Sequence, residues 1–171
     1  MDDTIHFIIT GGTIDSVYNG IKDTVEPAND SGIPAFITGL KLYNDVEFTT
    51  ICMKDSRALS KDDLAAILTA VKNSPHKKII ITHGTYTMPD TARYLEANLG
   101  ENDKTIVLTG SMIPLQGFSP SDAPFSLGYA VAQVLALGPG IRVCMNGRTF
   151  EPGEVMKIVE EGRFDSIFNK E

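Results

Sequence analysis

Four short stretches pair a hydroxyl or a carboxylate with glycine or serine: Gly11-Gly12-Thr13, Asp55-Ser56, Gly84-Thr85 and Gly110-Ser111. Glycine lets the backbone turn sharply and lets a ligand approach it closely. Any one of these stretches reads plainly as a turn or helix cap, where Gly, Ser and Thr are common. Together, each directly after an apolar run, they read as one pocket for a small polar ligand, with a carboxylate suited to a helix N-terminus. Thr13 and Thr85 are the candidate nucleophiles. A threonine hydroxyl attacks only when a neighbour takes its proton and donors stabilise the oxyanion that forms. The base candidates on the same edge are Tyr18, Asp55, His83, Tyr86 and Asp122; His83 reads first as a satisfied strand-end histidine. His6 and His76 show no partner in the sequence.

The elements that must position these groups follow from periodicity. Phe7 to Ile9, Val46 to Met53, Lys78 to Thr82, Thr105 to Leu108 and Ile141 to Met145 are brief apolar runs bounded by turn residues, which predicts five strands. Between them, Ala35 to Leu42 has the character of a short helix. Ser60 is placed to cap a second, with Leu64, Ile67, Leu68 and Val71 at helical spacing. Met88 to Leu99 predicts a third, and Asp122 to Leu137 a fourth with Asp122 as its cap. This alternation predicts an α/β fold: a doubly wound, mostly parallel sheet with helices on both faces, in a single domain over residues 1–171. In such sheets ligands bind outside the carboxyl ends of the strands. Asp15 to Pro34 is expected to be a long irregular segment, a lid in character, with Asn19-Gly20 able to tip a hairpin. Arg148 to Glu171 is expected to be a short strand and a polar tail.

Composition bounds the rest. The chain has 171 residues, 42% hydrophobic and 22% charged, ordinary for a soluble globular domain. A net charge of -7 with no basic stripe argues against nucleic acid as a partner. Cys52 and Cys144 sit in strand-like runs and are expected to be buried reduced thiols, with neither a disulfide framework nor a metal site. The amino terminus lacks a signal-peptide pattern and no apolar run reaches membrane-spanning length, so no membrane partner and a cytoplasmic location are expected. No glycine pattern matches a dinucleotide fingerprint or a Walker loop, which leaves a nucleotide reading weak.

The same stretches resemble the bacterial L-asparaginase family: T-G-G-T-I at 10–14, K-D-S at 54–56, T-H-G-T-Y-T-M at 82–88, L-T-G-S-M at 108–112 and S-x-S-D-A-P-F-S-L at 119–127. The resemblance runs along nearly the whole chain and is that of the family's amino-terminal domain alone. It implies hydrolysis of the side-chain amide of asparagine or a relative, through a threonine nucleophile and an acyl-enzyme, without a cofactor. Thr13 then resembles the nucleophile and Thr85 the second catalytic threonine. Gly12, Asp55, Ser56, Gly84, Tyr86 and Ser111 fall at substrate-binding positions, Asp55 and Ser56 at those that hold an α-carboxylate. A homo-oligomer, a dimer or higher, is also implied, and two-fold symmetry would be its default.

The resemblance breaks at three points. Tyr86 stands where the family has an aspartate that binds the substrate's amino group and supports a catalytic lysine. Counting along the helix after the D-A-P-F motif puts Leu137 where that lysine is expected. The third is the family's carboxyl-terminal domain, which contributes a substrate-binding acidic group to a neighbouring subunit's site and is not recognised within residues 1–171. Intact Thr13, Thr85, Asp55 and Ser56 favour an asparaginase-like amidohydrolase with an altered site. Tyr86 and Leu137 favour a non-catalytic binding module for a small carboxylate or amide. A third reading is another enzyme class reusing the pocket, such as an ester or lactam hydrolase.

Overall fold

Strand β1 (Ile5–Gly11) is buried along its whole length, and its side chains divide between two cores. Ile8 faces one layer of helices while Ile5, Phe7 and Ile9 face the other, as the period of two in a strand demands. The structure, a computed structural model, describes residues 3–168. After β1 come β2 (Ser16–Asn19), β3 (Thr24–Pro27), α1 (Ile33–Gly39), β4 (Val46–Lys54) and α2 (Lys61–Asn73). The chain continues with β5 (Lys78–Thr82), α3 (Met88–Leu99), β6 (Thr105–Thr109), α4 (Ala123–Ala136) and β7 (Gly140–Met145), and ends in β8 (Arg148–Phe150), β9 (Val155–Ile158) and β10 (Arg163–Ser166).

The main sheet has the order β4-β1-β5-β6-β7-β8, parallel throughout except for the antiparallel edge strand β8. Helices α2 and α3 cover one face through Ile67, Val71, Met88, Ala92 and Leu95, packed on Ile8, Ile79, Ile81, Ile106 and Leu108. On the other face α1 and α4 bring Ile33, Ile37, Leu127, Ala130 and Val134 onto Phe7, Ile80 and Val107. A strand covered on both faces must be apolar at successive positions, which is why β5 and β6 read as unbroken runs. The direction in which strands are added across the sheet reverses at β1: the chain first steps to β4 on one side, then crosses to β5 on the other and proceeds outward. A crevice at the carboxyl ends of β1 and β5 is the topological consequence.

Local signals act as the sequence implies at most element ends. Ser60 caps α2 in a reciprocal box: its hydroxyl accepts from the Asp63 N–H at 3.2 Å, and the Asp63 carboxylate accepts from the Ser60 N–H at 2.8 Å. Asp122 differs from expectation. Its carboxylate reaches back to the N–H groups of Met112 (2.8 Å) and Ile113 (2.9 Å) and fixes the loop before α4, instead of capping the helix.

Two segments are more ordered than their composition suggests. Residues 16–27 form the antiparallel pair β2–β3 rather than an irregular lid. Asp15 ties this hairpin's base to α1 by accepting from Ser31 Oγ (2.7 Å) and the Gly32 N–H (2.9 Å). The carboxyl-terminal stretch is not a polar tail. It supplies β8 to the main sheet and a separate antiparallel pair, β9–β10, whose Val155 and Phe164 are buried in the α2–α3 core. Cys144 is buried, and burial pushes its thiol up to about 11; Cys52 is only half-buried and donates to the Thr10 carbonyl. Among the described residues no helix is long and apolar enough to cross a membrane.

Candidate active site

Three turns converge at the carboxyl ends of β1, β4 and β5. Gly12, after β1, has φ +85° and ψ -175°, a region that only glycine occupies readily. A Cβ at Gly12 would fall on the backbone of Gly84, and one at Gly84 would sit 2.7 Å from the Cβ and Oγ of Ser56. The two glycines are therefore what allow the turns to nest. Ser56, itself buried, braces the stack: its hydroxyl accepts from the Thr87 N–H at 3.3 Å, and its carbonyl accepts from Thr87 Oγ1 at 3.0 Å.

Between these turns lies a cleft of about 230 Å³, lined by Gly12, Thr13, Asp55, Ser56, Arg57, Gly84, Thr85, Tyr86 and Lys157. That is smaller than a drug-sized site and suits a metabolite of a few carbons. Of the positions expected from sequence, Gly12, Thr13, Asp55, Ser56, Gly84, Thr85 and Tyr86 all line it. Ser111 does not. It is fully buried, and its hydroxyl donates to the Ile113 carbonyl.

The base candidates separate cleanly. His83 is buried between the Gly84 carbonyl (2.7 Å from Nδ1) and Thr91 Oγ1 (2.9 Å from Nε2), and burial lowers its pKa. Tyr18 projects from the β2–β3 hairpin and donates to Asp23 at 2.6 Å, outside the cleft. His6 bonds Ser74 and Thr49, and His76 bonds Glu47, away from the cleft residues. Asp55 is engaged by Arg57: Oδ1 accepts from the Arg57 N–H (2.8 Å) and Nε (3.0 Å), Oδ2 from Nη2 (2.8 Å). That pairing lowers the Asp55 pKa and keeps it an anion.

Lys157 is the group that sequence reasoning missed. From β9 its ammonium donates to Thr85 Oγ1 at 2.7 Å, across a separation of 72 residues. Burial lowers its pKa from the ordinary 10.5, and the neighbouring Arg57 cation lowers it further, while Asp55 opposes the shift. A lysine pushed toward its neutral form beside a hydroxyl is a candidate proton acceptor. Tyr86 sits between the two cations, its ring centroid 5.1 Å from Arg57 Cζ and 5.3 Å from Lys157 Nζ.

Residues 4–168 match the family model described as Asparaginase, N-terminal. The chain belongs to the asparaginase family. It is 32% identical over 147 residues to the glutaminase-asparaginase of Acinetobacter glutaminasificans, a match covering 84% of this chain and 40% of that one. With L-asparaginase 2 of Escherichia coli (strain K12) it shares 28% identity over 147 residues, 84% of this chain and 38% of the relative. Among solved structures, the thermostable L-asparaginase from Thermococcus kodakarensis superposes with a TM-score of 0.84 at 28% identity, covering 98% of this chain and 52% of that one. The probable cytoplasmic L-asparaginase from Campylobacter jejuni gives 0.78 at 26% identity, covering 95% and 52%. The chain thus spans about two fifths of the length of these curated relatives.

Within this asparaginase fold, Leu137 is the wrong place to look for a lysine. It caps the end of α4, and its carbonyl accepts from Lys78 Nζ and Thr105 Oγ1, at the first residues of β5 and β6. Helix α4 runs back from the cleft, so counting along it leads to the opposite end of the sheet. The lysine that does reach the second threonine comes from the β9–β10 pair. Its position in the sequence, in V-M-K-I between buried Val155 and half-buried Ile158, carries strand periodicity and nothing that names a destination.

Proposed function

We propose that this chain carries a threonine-dependent amide-hydrolase site, with Thr13 as the nucleophile and Thr85–Lys157 as the proton-transfer pair. The observation that carries the reading is the 2.7 Å contact between Lys157 Nζ and Thr85 Oγ1 in the cleft that Thr13 also lines. With Lys157 neutral, the Thr85 hydroxyl donates to Nζ and its oxygen can receive a proton in turn. The Thr13 oxygen bonds to the amide carbonyl carbon as the C=O π pair moves onto the carbonyl oxygen, and the Thr13 proton passes by way of Thr85 to Lys157. The C–N bond then breaks as the proton goes to the leaving nitrogen, which departs as ammonia. Water then adds to the acyl carbon, giving its proton to Lys157 by the same route; the bond from that carbon to the Thr13 oxygen breaks, Thr13 takes the proton back, and the acid leaves.

Lys157 beside Thr85 speaks against a non-catalytic binding module, for which Tyr86 alone still counts. A second catalytic reading keeps one: Thr85 is the threonine with a base in contact, whereas the Thr13 hydroxyl has no protein partner among the described residues. Thr85 as nucleophile and Thr13 as a substrate ligand is the form it takes. Ammonia release from a panel of small amides tests both readings. Thr13→Ala should abolish turnover and leave the melting temperature within a few degrees of the parent. A trapped acyl-enzyme mapped to residue 13 supports the first reading, and one mapped to residue 85 the second. No ammonia from any amide would refute both.

A further inference from the structure

The charges facing the cleft point to its substrate class. They are Asp55, Arg57 and Lys157. Both oxygens of Asp55 are occupied by Arg57, so the cleft's one carboxylate is already paired. The next acid in sequence after Thr85, Asp90, lines a neighbouring groove and pairs with Arg93 at 3.3 Å. At position 86, where resemblance to the family leads one to expect an aspartate that binds an amino group, an aromatic ring packs against the two cations instead. Arg57 uses Nε and Nη2 on Asp55 and has no bond through Nη1 to any described residue.

We infer that the cleft takes the mono-amide of a small dicarboxylic acid that lacks an α-ammonium group, with Arg57 receiving the free carboxylate and Tyr86 excluding the ammonium. Asp55 and Arg57 cancel one another, so an ammonium here would meet the Lys157 cation in excess and, among the described residues, no unpaired cleft carboxylate. A carboxylate instead meets a planar guanidinium with a donor to spare. This inference rests on the amide-hydrolase reading of the same cleft for its catalytic half, and on charge complementarity alone for its binding half.

The test uses succinamate and asparagine as substrates, and succinate and aspartate as non-reacting ligands. Ammonia release should show a kcat/KM at least tenfold higher for succinamate than for asparagine. Tyr86→Asp should shift that ratio at least tenfold toward asparagine. By calorimetry succinate should bind the parent at least tenfold more tightly than aspartate, and Arg57→Gln should remove most of that difference. Asparagine turned over as well as succinamate, or aspartate bound as tightly as succinate, would overturn the inference. If neither amide releases ammonia, the hydrolase reading fails while the succinate-to-aspartate binding ratio still decides this one; equal or absent binding refutes it.

Discussion

Replacing Lys157 by methionine keeps the stem of the side chain and removes the group that touches Thr85. The contact is short, 2.7 Å, and made by a nitrogen already biased toward its neutral form by burial and by Arg57. General-base catalysis contributes about 10²–10⁴-fold, equivalent to about 3–5 kcal/mol in the barrier; kcat should fall by that factor. Stability should respond differently. A lysine whose folded pKa lies below its unfolded value opposes folding at low pH, and that opposition is relieved as pH rises through the folded value toward 10.5. Methionine removes it. Against this stands one lost hydrogen bond of about 1 kcal/mol, so the Tm at pH 7 should stay within about 4 °C of the parent. The assay is ammonia release against pH, with thermal melts alongside. In the parent, kcat should rise through an alkaline limb set below 10.5, and Arg57→Gln should move that limb to higher pH by removing one of the causes of the depression. A Lys157→Met variant that keeps more than a tenth of the parent kcat, or a limb that does not move in Arg57→Gln, would refute the assignment.

Gly12→Ala should be among the most damaging single-methyl additions. It combines a glycine-only conformation with a collision on the Gly84 backbone, neither of which can relax without moving β1 or β5. A loss of about 3 kcal/mol or more, near 10 °C in Tm, is expected, and an unchanged melt would show that the turns do not nest as described. At the carboxyl end of β4, Lys54 first and the Ser60 N–H second hold the Asp63 carboxyl down to about 2, from an ordinary 3.8. Stability from a depressed carboxyl is present above its unfolded value and is lost as pH falls through its folded value. Asp63→Asn should therefore cost about 0.5–1 kcal/mol at pH 7, with the two proteins converging below pH 2. Denaturant titrations at pH 7, 4 and 2 check this.

The parts of the fold that sequence reveals are those where local chemistry and global position agree. Ser60 through Asp63 writes a helix start that the structure uses, and β1, β5 and β6 are buried on both faces and read as apolar runs. The glycine-bearing turns at 12 and 84 are equally legible, because only glycine allows backbones to approach so closely. Legibility ends where position is set by contacts distant in sequence. Ser111 sits in the same kind of strand-end motif as Thr85, yet its hydroxyl turns inward to Ile113, and no feature of Gly110-Ser111 distinguishes the two cases. Lys157 is placed by Val155 and Phe164 entering the α2–α3 core and by the bond from Arg93 Nη2 to the Val155 carbonyl at 2.7 Å. The groups that hold this strand lie far from it in sequence, Arg93 at a separation of 62 residues. Helix α4, by contrast, offered an easy count that ran in the wrong direction along the sheet.

The β9–β10 pair is hydrogen-bonded as its own two-stranded sheet, apart from the six strands that carry Thr13 and Thr85. Proteins open in pieces, and a small sheet held by two apolar anchors and a few polar contacts belongs to the pieces that open early. Such an opening would withdraw the ammonium from Thr85 while leaving the parallel sheet and its helices intact. Inactivation should then precede denaturation: along a urea or temperature axis the activity midpoint falls before the circular dichroism midpoint, and amides of 155–166 exchange faster than those of β1, β5 and β6.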